Sequence, residues 1–415
     1  MTTEIKRPYF WSESVSSAAT VSRKNEVRVG GGRDLSIDYL RTTLTLMVLC
    51  HHSSLAYTTF AHFDKQHLMR STAPVVDVMR WRFFDYAENF NDVFFMSLMF
   101  FISGLFVYPA LRRHGTSGFI RDRLLRLGVP FAFAVVILMP IAYYASWQLT
   151  GLDTGFFDFY RRLAAAGFAV GPPWFVWVLL FFDVVLALLL APFQRWMPRI
   201  GLWMSKLRDH SSAVFAAVFC LAAIAYVPML FRYGFGTWTN LITSPFSFQI
   251  ARAGLYFLWF LFGFLVGAPG LSNGLLAREG GLVHSWPLWM AACILAYNAL
   301  WFMPRWPIVH ELSAFHQKLL EALLWVASCT ASSSGFLAMF RGIELHSRPW
   351  MNSLTRSAYV MYLVHYVFIT WTQRVVLDRP IHASLKFLFV FLSTVFLSWL
   401  TAQAVLRIPK LKAIL

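Results

Sequence analysis

Four ionisable side chains lie in one largely apolar stretch, residues 37–57, whose length suits a membrane-spanning helix. They are Asp38, Arg41, His51 and His52. Charged and titratable groups are costly in hydrocarbon, so they usually face a partner, a water-filled cavity or a functional site. Each residue of a helix turns by about 100°, so Asp38, Arg41 and His52 share one face. His51 points away from that face.

His52 is the residue of this stretch best suited to chemistry. Its imidazole titrates near neutral pH, so it can take up and release a proton as a general base or acid. It follows Arg41 by eleven residues, or about 16 Å along a helix axis, which places it beyond the membrane midplane. We therefore predict a catalytic role for His52, with Arg41 and Asp38 either assisting it or forming a structural ion pair. For His51 we favour packing or orientation of its neighbour.

A cluster of arginines follows the second apolar block, in the segment "FIRDRLLRLGVPF". Arg123 and Arg126 are three residues apart, so on a short helix their side chains can project together. The guanidinium fork binds phosphate in a bidentate manner. The cluster therefore predicts a site for a phosphate-rich ligand, unless its charges only orient the chain in the membrane. Arg112, Arg113 and Arg121 lie nearby.

Three more candidates occur in later apolar blocks. Asp183, in "LLFFDVVLALLL", is either functional or paired with a neighbouring polar group. His365 and Tyr359 are six residues apart, so they point about 120° away from each other on a helix. Either of the two can face a cavity, or both can belong to the membrane interface.

The composition is that of an integral membrane protein. Of the 415 residues, 58% are hydrophobic and only 13% are charged. The net charge of +16 does not indicate nucleic-acid binding, because Lys and Arg collect in the cytoplasmic loops of membrane proteins. No basic and aromatic module stands apart from the apolar blocks, so we expect no nucleic-acid partner.

We predict an all-α polytopic membrane protein with about ten transmembrane helices. Most of the 36 Lys and Arg residues lie in the tail, in the chain end and in loops on the same side, so the positive-inside rule places both termini in the cytoplasm. Residues 1–35 are predicted to be a flexible cytoplasmic tail, and residues 36–415 one membrane domain. The opposite loop, residues 58–90, forms either a partly helical flap or a solvated connector. The apolar blocks are 37–57, 91–111, 128–149, 173–193, 212–231, 252–268, 286–303, 319–340, 355–373 and 384–406.

Several motifs together make the chain similar to the membrane acyltransferase 3 family. Asp38, Arg41 and then His52 resemble the signature of that family's first helix. Relatives commonly carry a His just before the Trp-Phe pair of the fourth span, where this chain has Pro173, so any role of that His does not transfer. The other resembling segments, in the family's order, are "FFISG" at 100–104, "RLLRLGVPF" at 123–131, "PWFVWVLL" at 173–180 and "SAYVMYLVH" at 357–365.

The resemblance implies O-acylation of an extracytoplasmic acceptor, usually a sugar hydroxyl, with cytoplasmic acyl-coenzyme A as donor. By position, His52 resembles the catalytic histidine and Arg41 its partner arginine. Arg123 and Arg126 resemble the paired arginines near the donor, and we add Arg121 to that site. The chain is most similar to the branch that succinylates periplasmic glucans, which implies a bacterial inner membrane. We expect no metal.

In the mechanism that we favour, the nucleotide of coenzyme A rests on the cytoplasmic arginines and its pantetheine arm threads between helices. His52 then acts as general base on an acceptor hydroxyl that enters from the other side. A covalent acyl-histidine intermediate is the variant. The acyl group is acetyl or succinyl, and no oligomeric state is predicted. The alternative from another class is a proton-coupled secondary transporter or flippase, in which the buried ionisable groups relay protons.

Overall fold

The structure is a computed structural model that describes residues 34–152 and 154–415. Nearly all of the tail predicted for residues 1–35 lies outside the described residues. Residues Leu35–Leu415 form one compact unit. Helices dominate this unit, and two short antiparallel strands pair with Trp238 opposite Gln249.

The elements are numbered in chain order. The strands are β1 (Trp238–Asn240) and β2 (Ser247–Gln249). The helices are α1 (Leu35–Leu55), α2 (Arg82–Leu105), α3 (Val107–Arg123), α4 (Val129–Phe133), α5 (Met139–Trp147), α6 (Phe156–Ala165), α7 (Trp174–Leu190), α8 (Met197–Ser205), α9 (Ser211–Tyr233), α10 (Ile250–Gly267), α11 (Gly281–His284), α12 (Trp286–Phe302), α13 (Pro307–His310), α14 (Ala314–Gly342), α15 (Pro349–Val376), α16 (Ala383–Val405) and α17 (Pro409–Ile414).

The prediction of an all-α membrane fold is confirmed. Seven helical stretches within the described residues are long and apolar enough to cross a membrane. Helices α1, α2 and α15 have 21, 24 and 28 residues, but their polar residues lower their mean hydropathy, so they are not among the seven. The total of ten spans therefore stays a prediction. The seven are Val107–Trp147, Trp174–Phe193, Ser211–Tyr233, Ile250–Gly267, Trp286–Arg305, Ala314–Gly342 and Ala383–Val405.

The second predicted span, residues 91–111, was wrong at both ends. Helix α2 begins nine residues earlier, at Arg82, and ends at Leu105. Its first half carries Asp85 and Glu88, which are polar by sequence but buried in the structure. The polarity of this segment favoured a loop, whereas partners from elsewhere in the chain allow it to be a buried helix.

Helices α3, α4 and α5 form one long stretch that is interrupted by wider turns. Gly115 interrupts the middle of α3 with φ 66°, a conformation that favours glycine. Two π-helical turns, Leu124–Gly128 and Ala134–Leu138, adjoin the segments that carry Pro130 and Pro140. Proline lacks an N–H group and its ring crowds the preceding turn, so the helix widens there. The predicted span 128–149 covers only the second half of this stretch.

Helices α2 and α10 cross at very short range because glycines line the crossing. A Cβ atom on Gly104 would lie 2.2 Å from the carbonyl oxygen of Phe260, and one on Gly263 would lie 2.0 Å from that of Phe101. Small residues allow membrane helices to approach in this way. Gly104 therefore has a packing role in this crossing. This crossing fixes the position of the first turns of α10 against α2, where charged residues face each other.

The segment that joins α1 to α2, residues 56–81, folds over the end of the bundle where α1 ends, which we call the cavity end. Apart from a 3₁₀ turn at Leu68–Arg70 it is irregular. The ammonium group of Lys386 on α16 lies 2.6 Å from the carboxylate of Asp77, and both side chains are almost completely buried. At the other end of the segment, Thr59 donates from its N–H and hydroxyl to Asp85, at 2.7 and 2.6 Å. The segment is thus tied down at two points.

The glycine crossing makes a first prediction. We expect Gly263→Ala to lower the thermal stability of the detergent-solubilised protein, because the added methyl group forces α2 and α10 apart. Overpacking of this kind costs about 1–3 kcal/mol. Gly236→Ala is the matched control, since a Cβ atom there meets no heavy atom within 4 Å. Equal melting temperatures for the two variants would contradict this account of the crossing.

The buried ion pair makes a second prediction. Lys386→Met leaves the Asp77 carboxylate buried without its cation, which should cost about 3–5 kcal/mol. In the double variant Lys386→Met/Asp77→Asn the lone charge is gone. In the unaltered protein the N–H of Met79 donates to the Asp77 carboxylate at 2.8 Å, and the amide oxygen of the asparagine can still accept that bond. We expect the double variant to melt well above the single one in a thermal unfolding assay. A double variant as unstable as Lys386→Met would show that the charge is not the cause.

Candidate active site

A cavity of about 530 Å³ opens at the cavity end of the bundle. Its walls come from α1, α2, α5, α10 and α15, from the segment 56–81, from the loop that leads into α7, and from the two strands with the loops next to β1. Both histidines of α1, His51 and His52, line it. The structure therefore places the two histidines that were singled out by sequence at a large cavity.

His52 lies at the inner wall of this cavity, in a ring of aromatic groups. Its ring centroid is 5.1 Å from that of His51, 5.4 Å from that of His365 and 5.3 Å from that of Tyr366. Its Nδ1 atom is buried and has no hydrogen-bond partner among the described residues. The imidazole of His52 is thus half-buried, borders open space and has unused hydrogen-bonding capacity.

His51 is more deeply buried and packs against α2. Its ring centroid lies 5.1 Å from that of Phe95, and its Nε2 atom lies 3.6 Å from a carboxylate oxygen of Glu88. These contacts agree with the packing or orienting role that we favoured for His51. The carboxylate of Glu88 also lines the cavity.

A buried ion pair forms another part of the wall. Arg252 on α10 donates from its two terminal nitrogens to the carboxylate of Asp92 on α2, at 2.8 and 2.6 Å. Arg252 is 1% exposed, and its guanidinium also lies over the rings of Phe235 and Trp325, at 4.3 and 5.3 Å. Both Asp92 and Arg252 line the cavity.

Sequence reasoning missed Glu88, Asp92 and Arg252 as site residues. Glu88 was assigned to a loop, and Asp92 was counted as part of an apolar block. The available signals were the spacing of Glu88 and Asp92, four residues apart on one helix face, and the single arginine in the apolar block that begins at 252. Neither signal names a partner, because Asp92 and Arg252 are 160 residues apart.

Asp38 and Arg41 lie at the other end of α1, which we call the tail end. Their side chains form an ion pair of 3.4 Å, and the Arg41 side chain is 43% exposed. Neither residue is among the described residues that line the large cavity. With His52 about 16 Å away along the helix axis, they are not in its immediate surroundings. Their predicted role in shaping a donor channel stays a prediction.

The arginines predicted to hold a phosphate-rich donor have different surroundings. Arg123 lies 3.1 Å from Asp183 on α7 and 4.8 Å from the ring of Phe119. Arg126 pairs within its own helix with Asp122, at 2.8 Å, and Arg121 is exposed. Asp183 is thus an ion-pair partner, one of the two roles that we left open for it. Neither Arg123 nor Arg126 is among the described residues that line the large cavity.

The two candidates on α15 differ in their position. His365 is completely buried and adjoins His52, whereas Tyr359 lies further towards the tail end. The Tyr359 hydroxyl donates to the carbonyl oxygen of Arg126, at 2.8 Å. That carbonyl would pair with the N–H of residue 130 in a regular helix, and residue 130 is a proline. Tyr359 therefore satisfies a carbonyl group left over by the widened turn.

The loop before α7 is fastened to α15 at the cavity. The Tyr362 hydroxyl donates to the carbonyl oxygen of Pro172. Pro172 and Trp174 line the cavity next to Tyr362, so this bond holds the loop against the wall that carries His365.

Within the described residues, no group of three or more His, Cys, Asp or Glu side chains is arranged to hold a metal ion.

The chain was compared with known proteins. The family described as "Acyltransferase domain" (Acyl_transf_3) matches residues 34–403. The comparisons with curated proteins and with solved structures found no match. The matched region contains the whole of α1 to α15, including every residue of the cavity wall described above. The chain therefore belongs to the acyltransferase 3 family and is an integral, multi-pass membrane acyltransferase.

Proposed function

We propose that this protein transfers an acyl group from acyl-coenzyme A to a hydroxyl group of an extracytoplasmic glycan, with His52 as general base. The observation that carries this proposal is the position of His52, an imidazole that borders a large cavity while its Nδ1 atom has no partner. A base needs a nitrogen lone pair that can reach the hydroxyl that it deprotonates. Because Nδ1 is buried, Nε2 is the nitrogen of His52 that would face the acceptor.

The cavity has the character expected for a sugar acceptor. Three aromatic side chains, Phe60, Phe235 and Trp238, line it and are 46%, 44% and 45% exposed. Their faces offer apolar area to the C–H faces of a sugar ring. The carboxylates of Glu88 and Asp92 add hydrogen-bond acceptors for hydroxyl groups. An acceptor that binds there would meet His52 at the inner wall.

The donor would approach from the tail end, where the arginines of α3 and its following turn lie. Coenzyme A carries several phosphate charges, which guanidinium groups bind well. Arg121 and Arg126 are exposed and accessible to such a ligand, whereas Arg123 is held by Asp183. We therefore assign phosphate contact to Arg121 and Arg126 first, with Arg123 fixing the helix that carries them.

The similarity to the glucan-succinylating branch of the family suggests which acyl group is transferred and which acceptor receives it. We propose succinyl as the transferred group and a periplasmic glucan as the acceptor, with acetyl as the alternative acyl group. A bacterial inner membrane would supply coenzyme A on one side and the glucan on the other. The similarity of the chain to that branch supports this choice.

His52 makes the central prediction. We expect His52→Gln to lower acyl transfer by about 10²–10⁴-fold, the usual contribution of a general base, without loss of folded protein. Protein in lipid nanodiscs would be incubated with succinyl-coenzyme A or acetyl-coenzyme A and a soluble glucan oligosaccharide, and the product followed by mass spectrometry. The matched control is His310→Gln, because His310 is exposed at the end of the short helix α13 and its loss should not change the rate of acyl transfer.

If the His52→Gln variant still transfers the acyl group at the normal rate, His52 is not the general base. Absence of acylated product with the unaltered protein, combined with proton-coupled movement of a glycan or lipid across proteoliposomes, would instead favour the transporter.

The arginines make a separate prediction about donor binding. We expect Arg126→Ala to weaken binding of coenzyme A with little effect on folding, because its ion pair is exposed and contributes little. Arg123→Ala should destabilise the fold, because Asp183 is left charged and buried. Adding Asp183→Asn should restore folding in that background. Calorimetric titration of the purified variants with coenzyme A tests affinity, and unchanged affinity in Arg126→Ala would contradict its assignment.

A further inference from the structure

We infer that His365 is a positioning residue that holds His52 in the tautomer required of the base. This inference rests on the proposed function, because it assigns the base to His52. It starts from two nitrogen atoms, Nδ1 of His52 and Nε2 of His365, which are both buried and both without a hydrogen-bond partner in the described part of the chain.

The tautomer of His365 follows from its other nitrogen. Its Nδ1 atom lies 2.5 Å from the carbonyl oxygen of Tyr362. A carbonyl oxygen only accepts hydrogen bonds, so the proton must be on Nδ1. A second proton on Nε2 would place an uncompensated charge on a side chain that is completely buried, which is strongly unfavourable. The ring is therefore neutral, and its Nε2 atom carries a lone pair.

The lone pair of His365 can accept a hydrogen bond from a neighbouring donor, and His52 is adjacent. The two ring centroids are 5.4 Å apart, with an angle of 33° between the planes. An N–H···N bond of about 3 Å between two imidazoles gives a centroid separation of roughly 5 Å. The structure does not contain this bond, but the rings are close enough that a rotation of the His52 ring would join its Nδ1–H group to Nε2 of His365.

This bond would decide which nitrogen of His52 acts as the base. With the proton on Nδ1, the lone pair of His52 is on Nε2. The opposite tautomer would turn two lone pairs towards each other inside the protein and leave both nitrogens unsatisfied. In histidine sites generally, the partner of one nitrogen selects the state of the other. Tyr362, through its carbonyl group and His365, would thus set the protonation of His52.

The reaction balances with His52 in this state. The acceptor hydroxyl gives its proton to Nε2 of His52 while its oxygen forms a bond to the acyl carbon. The bond from that carbon to the sulfur of coenzyme A then breaks, and the proton on Nε2 passes to the departing thiolate. While His52 carries both protons, Nε2 of His365 accepts a hydrogen bond from the Nδ1–H group of His52 and so stabilises the cation. His365 itself never loses or gains a proton.

The test compares two substitutions of similar size. His365→Gln keeps an oxygen that can accept near the former Nε2 position, whereas His365→Leu has none. We expect His365→Leu to lower kcat about 100-fold with unchanged KM for donor and acceptor, and His365→Gln to retain activity within about tenfold of the unaltered protein. Both are measured in nanodiscs with succinyl-coenzyme A and a glucan oligosaccharide, alongside melting temperatures.

A structural role would give a different pattern. If Gln and Leu at 365 are equally impaired, or if His365→Leu folds and is fully active, the inference is overturned. If His365→Leu does not fold, His365→Met replaces it with a more adaptable side chain. The double variant His52→Gln/His365→Leu tests whether the two residues act together. If they do, it should be no slower than His52→Gln alone, and a further 100-fold loss of activity would also overturn the inference. Failure of the proposed function itself is recognised separately, by activity that persists in His52→Gln.

Discussion

Hydrocarbon offers no water to a polar side chain, so polar groups inside this bundle must find partners within the protein. Three ion pairs follow from that constraint. Arg252 and Asp92 join α10 to α2, Arg123 and Asp183 join the long α3–α5 stretch to α7, and Lys386 and Asp77 fasten the cavity-end segment to α16. Each pair connects elements that are far apart in the chain. The same pairs that satisfy the charges therefore also hold these elements of the bundle together.

The imidazoles at the cavity are not fully supplied with such partners. His51, His52 and His365 each keep one buried nitrogen without a hydrogen-bond partner among the described residues. A buried nitrogen without a partner costs free energy, so its retention needs a reason. The rings of His51 and His365 both contact that of His52, next to the open cavity. Unused hydrogen-bonding capacity that gathers at one place is typical of a site that binds or transforms a ligand.

The two ends of the bundle have different chemical character, and the proposed reaction uses both. The cavity end has aromatic faces and carboxylates, which suit a hydroxyl-rich acceptor. The tail end has exposed arginines on the helix that begins the long α3–α5 stretch, which suit phosphate. His52 lies between them, on a helix that also carries Arg41 at its other end. An acyl group passed between the two compartments would have to cross near His52.

The membrane class, most of the helical blocks and the choice of His52 as the candidate base came from the sequence alone. Long apolar blocks and a histidine on a polar helix face are local properties, which need no knowledge of the fold. The start of α2 was not recoverable in this way, because Asp85 and Glu88 look like loop residues until their buried surroundings are known. The same holds for Asp92 and Arg252, since charges 160 residues apart become a pair only when α2 and α10 cross at their glycines. The tertiary structure alone decided that His365 adjoins His52 and that Arg123 is bound to Asp183. Sequence spacing describes one helix at a time, whereas a site formed by several helices depends on how they pack.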